Sequence, residues 1–134
     1  MSDLARAINR HVGRPWCAAG FDCWEFVRAA YAEAYGVILP QLPGVDGADP
    51  RAAATATAHL RAAGDWHLVN VPSDGDAITM GTRSRPHHVG IWCGGRIAHC
   101  DQSSGVVVVP LHRLTGVGWQ GFHTFRHISQ QVAP

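Results

Sequence analysis

The sequence has no surplus of charge of one sign. Its 11 Lys and Arg are nearly matched by 10 Asp and Glu, for a formal net charge of +1, and the basic residues do not cluster. Phosphate binding needs a basic face, so nucleic acid is not an expected partner. Long hydrophobic runs are also missing. Nothing approaches the roughly 20 apolar residues that span a bilayer, so no membrane partner is expected. The start, MSDLARAINRHVGR, lacks the apolar run of a signal peptide, and work outside the cytoplasm would need another means of delivery. Cysteine is sparse: Cys17, Cys23, Cys93 and Cys100 do not form the dense framework of a small secreted scaffold. For Cys93 and Cys100 the plain reading is a small buried thiol. His87, His88, Cys93, His99 and Cys100 suggest a metal site, but no C-x-x-C or H-E-x-x-H spacing supports zinc. Repeats, low-complexity tracts and linkers are absent, and 134 residues suit one domain, residues 1–134.

Within that frame, helices come first and strands follow. Ser2 is placed to cap a short helix through His11, with Leu4 and Ile8 on one face and Gly13 at its end. After a loop to Phe21, the run from Asp22 to Gly36 is the clearest helix. Asp22 and Glu25 have capping-box spacing. Val27, Ala30, Tyr31 and Ala34 form one buried face, and Gly36 supplies the stop. Residues 42–50 read as loop and residues 51–63 as an alanine-rich helix. Beyond Gly64, short apolar runs alternate with turn signals: 66–71, 77–80, 89–93, 96–100, 106–109 and 122–127. Gly94-Gly95 reads as a tight hairpin turn. The order implies an α+β fold, N-terminal helices packed on an antiparallel sheet.

Cys23 follows the helix cap, where unpaired backbone N–H groups and the helix dipole favour an anion. Such a site can bring a thiol from about 8.5 into a range of roughly 3.5–7.5, which yields a thiolate nucleophile. The same N–H groups can hold an oxyanion. On position alone, an inert cysteine placed there by chance is the plainer reading. A nucleophilic thiol needs a proton acceptor that later serves a leaving amine, and histidine does both. Nine histidines are present, so setting decides. His88 opens a strand that enters the core, and His99 ends the next strand across the Gly94-Gly95 turn. A hairpin would bring them together, so that one could orient the other's ring. Six of the others (His11, His59, His67, His112, His123 and His127) fit surface or hydrogen-bonded structural roles.

Gly20-Phe-Asp-Cys-Trp-Glu-Phe-Val27 resembles the nucleophile motif of NlpC/P60 cysteine peptidases. Gly75-Asp-Ala-Ile-Thr-Met80 is similar to that family's Gly-Asp strand. His88-Val-Gly-Ile-Trp92, with Gly94-Gly-Arg-Ile-Ala-His99, resembles its histidine strand and the strand after it. The likeness runs from about Gly13 to Val109. It implies a papain-like fold and hydrolysis of stem-peptide amides in peptidoglycan, with Cys23 as nucleophile, His88 as base and acid, and His99 as the orienting residue. It implies no cofactor and no metal. Trp24 stands where many members have serine, which implies a different substrate groove. Tyr35-Gly-Val-Ile-Leu-Pro40 and the aromatic, histidine-rich end resemble the cell-wall peptidase domains of tailed phages, of the lambda tail-tip and gene-transfer-agent type. That likeness implies phage tail tip proteins as partners and a virion tail location: made in the host cytoplasm, acting in the periplasm or cell wall. Other readings are an inactive structural tail component on the same fold, and a thiol acyltransferase or amidase.

Overall fold

The structure, a computed structural model, describes residues 1–18, 20–42, 58, 62, 64–82 and 88–130. Helix α1, Asp3–His11, starts where Ser2 Oγ accepts the Ala5 N–H at 3.1 Å, and buries Leu4, Ala7 and Ile8. Helix α2, Cys23–Tyr35, is capped by Asp22 and ends at Gly36, whose φ of +67° only glycine adopts without strain. The expected helix at 51–63 and loop at 42–50 lie almost wholly outside the described residues.

Six strands follow: β1 (Trp66–Val69), β2 (Ala77–Gly81), β3 (His88–Cys93), β4 (Arg96–Asp101), β5 (Gly105–Val109) and β6 (Gln120–His127). They form one sheet in the order β1-β6-β2-β3-β4-β5, and every neighbouring pair is antiparallel. The α+β architecture expected from the sequence is therefore present. Cys93 pairs with Arg96 around Gly94 and Gly95, both at positive φ, which makes the two-residue turn that matches strand twist. A short helix α3, Leu111–Gly116, joins β5 to β6. Six residues hold too little periodicity for it to be foreseen.

Strand alternation divides the core into two layers. On one face α1 and α2 cover Ala77, Val89, Ile91, Ala98, Cys100 and Val106. On the other, Ile78, Met80 and Ile97 meet Leu114 and Trp119. Burying each large apolar side chain contributes roughly 1.5–3 kcal/mol. Trp24 belongs to the first layer. It is 1% exposed, its indole N–H donates to Pro40 O at 2.8 Å, and its ring lies 6.4 Å from that of Trp66. The expectation that it reshapes a substrate groove is thus corrected: adjacent helix positions point about 100° apart, and Trp24 points into the core.

Two sets of contacts brace the sheet. Asp76, fully buried at the start of β2, receives Arg126 of β6 through Nε at 3.0 Å and Nη2 at 2.9 Å, and the Ser73 N–H at 2.8 Å. At the β5 edge, Gly13 N–H donates to Val106 O at 2.9 Å and Val106 N–H to Arg14 O at 3.0 Å. The chain after α1 thereby covers part of edge strand β5.

Candidate active site

The approach to Cys23 is fixed from behind. Cys17 and Phe21 exchange backbone hydrogen bonds of 2.8 Å in both directions. The Phe21 ring stacks on His11 at 5.7 Å and lies beneath the Arg14 guanidinium at 3.6 Å. Asp22 Oδ1 then accepts the Glu25 N–H at 2.9 Å, while the Glu25 carboxylate turns to Arg28 at 2.7 Å. The cap is therefore made by Asp22 as its spacing foretold. Cys23 is the first helical residue and is wholly buried. Cys100 is buried as expected, Cys93 is half-buried and Cys17 is exposed; none of the four forms a disulfide among the described residues.

His88 is the first residue of β3, and His99 lies on β4. His88 Nε2 and His99 Nδ1 are 2.9 Å apart, with the rings at 87°. Gly90 makes this possible: a Cβ there would come within 3.1 Å of His99 Cβ and 2.7 Å of Ala98 O. Trp119 stacks on the His88 ring at 4.6 Å and 19°. Both histidines are buried, at 1% and 3% exposure. One of the two bonded nitrogens carries the proton. If His99 Nδ1 accepts, His88 presents Nδ1 as its basic nitrogen.

Helix α2 packs across β3 and β4. Cys23 shares a cluster with Val89 and Cys100, the neighbours of His88 and His99, and the Cys100 thiol points at Phe21 O at 3.9 Å. The start of α2 thus sits at the histidine end of the hairpin. Alternation directs His88 toward Trp119 and the second layer. Among the described residues, no group of three or more His, Cys, Asp or Glu is arranged to hold a metal ion; His87 lies outside them. A cavity of about 420 Å³ adjoins His99, Trp119 and Arg113. Sequence reasoning missed Trp119, which meets His88 only through tertiary packing. It also missed the Asp76–Arg126 pair, which joins residues 50 positions apart.

Comparison with known proteins bears on this arrangement. The family model described as NlpC/P60 family matches residues 10–125. The NlpC/p60 domain of the peptidoglycan hydrolase SagA superposes with a TM-score of 0.58 at 20% identity, over 90% of this chain and 94% of that one. An NlpC/P60 family protein from Bacillus cereus gives 0.58 at 21%, over 90% of this chain and 38% of its own longer chain. No curated protein matches significantly. The two structures share a fold with this chain, and the match over residues 10–125 places it in the NlpC/P60 family.

Proposed function

We propose that this protein is a cysteine peptidase that hydrolyses stem-peptide amides of peptidoglycan, with Cys23 as nucleophile, His88 as base and acid, and His99 as the residue that orients His88. One observation carries the reading: the 2.9 Å His88–His99 contact lies at the end of the hairpin against which the Cys23-bearing start of α2 is packed. Membership of the family, and a structural neighbour named as a peptidoglycan hydrolase, support the substrate class. The Cys23 thiolate would attack the carbonyl, and N–H groups in the first turn of α2 would hold the oxyanion. His88 would protonate the departing amine and then take a proton from the water that releases the acid. The target is the amide between D-glutamate and the diamino acid. The likeness of residues 35–40 to phage cell-wall peptidases supports a place in a virion tail, beside tail tip proteins, with the whole of residues 1–134 acting as one peptidase domain.

A second reading, an inactive structural protein on the same fold, draws on one feature: Cys23 and His88 are both enclosed. A zymogram on purified cell walls separates the two. Clearing by the wild type and none by Cys23→Ser is the expected outcome. Equal clearing by both, or none by either, would refute the peptidase reading.

A further inference from the structure

We propose that the cavity beside His99 is the subsite for the substrate residue on the amine side of the scissile bond, and that Arg113 binds a carboxylate of that residue. The proposal rests on the peptidase reading above. The cavity, about 420 Å³, falls within the range usual for ligand sites. Its position is set by the histidine pair: His99 lines it, and so does Trp119, whose ring stacks on His88. Cys23 does not line it. The acyl part of a substrate must lie at the thiol, whereas the departing amine must meet His88. A cavity that flanks the histidines and not the cysteine suits the group that carries that amine.

Its chemistry is two-sided. Val107, Val109, Leu114 and Trp119 give an apolar wall, suited to the methylene stem of an amino acid. Arg113 stands in the last turn of α3 with its backbone held by bonds to Pro110 O and from Val117 N–H. Its guanidinium makes no ion pair or side-chain hydrogen bond among the described residues. A guanidinium in that state matches a carboxylate with two parallel N–H···O bonds. Among the described residues, Asp101 is the other carboxylate or guanidinium group that lines the cavity. Its Oδ2 accepts from the Ser103 N–H at 2.9 Å and the Ser104 N–H at 3.2 Å, as well as from the Ser103 hydroxyl, and so it shapes the β4–β5 turn.

The test is a binding measurement separate from turnover. Calorimetry on Cys23→Ser, which cannot cleave, compares the tripeptide L-alanyl-γ-D-glutamyl-diaminopimelate with the same peptide amidated at the diamino acid's carboxyls. The free acid is expected to bind about tenfold more tightly, the margin of one charge-assisted contact. Adding Arg113→Gln should equalise the two, and Arg113→Lys should keep part of the preference. Equal binding of acid and amide to Cys23→Ser, no binding of either, or a preference that survives Arg113→Gln would overturn the proposal. Failure of the peptidase reading looks different: the acid preference would persist while the wild type released no product.

Discussion

In the proposed mechanism His88 carries two demands at once, since it would pass protons and hold its ring steady while doing so. Its stack on Trp119 and its bond to His99 restrict the ring on two sides, and they make different predictions for the two histidines. His88→Ala should lower the turnover rate by about 10²–10⁴-fold, because both proton transfers are lost. His99→Ala should cost less, and His99→Asn or His99→Gln should recover part of the loss, since an acceptor is enough to orient an imidazole. Steady-state kinetics on the four variants would check the ranking; an active His88→Ala would remove His88 from the mechanism. The thiols give a second prediction. Helix position alone would make Cys23 the first to react, but it is fully buried while Cys17 is exposed. Burial, with Asp74 nearby, also pushes the Cys93 thiol up. Iodoacetamide should therefore label Cys17 before the others, whereas inactivation should follow Cys23 alone. Peptide mapping against residual turnover tests this, and Cys17→Ser should be fully active.

The β3–β4 hairpin is the element on which the site depends, and its closest approach is at Gly90. Gly90→Ala would drive a methyl against Ala98 O and His99, at a cost of about 1–3 kcal/mol. Turnover should fall further than that stability loss explains, because His99 is displaced; denaturant unfolding together with kinetics would separate the effects. The Asp76–Arg126 pair braces the neighbouring strands, and its Arg126 side chain is 27% exposed. Arg126→Ala leaves a buried carboxylate with less compensation and should cost about 2–3 kcal/mol. These elements also show what the sequence could and could not reveal. The Gly94-Gly95 turn, Asp22 as cap and Gly36 as stop act locally, so their residue types and spacing announced them. Six apolar runs located the six strands to within a residue or two at most ends. The partnership of Arg126 with Asp76, the Trp119 stack and the inward aim of Trp24 depend on distant chain segments meeting, and no periodicity encodes that. The Gly-Asp motif shows the contrast. It was visible as a motif, but its physical role emerges only where Tyr31 OH donates to Gly75 O and Asp76 receives Arg126.

For the whole molecule, acidification should weaken the fold in two stages. Burial holds His127 below 6.5, against an opposing pull from Asp65. The unfolded chain then binds more protons, so this contribution is complete above about 6.5 and is lost as pH falls through the folded value. At Glu33, burial pushes upward but hydrogen bonds from His11 and Arg10 outweigh it, so the carboxyl lies below 4.5. Its contribution is complete above 4.5 and disappears below the folded value. Thermal melts should show a first decline starting near pH 6.5, absent in a variant lacking His127, and a second starting near pH 4.5, absent in Glu33→Gln. A melt profile flat from pH 7 to 4 would contradict both. Mass spectrometry of the fragments released from purified peptidoglycan would identify the bond that this molecule is proposed to cut. New amino termini on the diamino acid are expected, formed by the wild type and not by Cys23→Ser, at a rate unchanged by EDTA. Free reducing sugars with intact stem peptides, or the same new termini from Cys23→Ser, would contradict it.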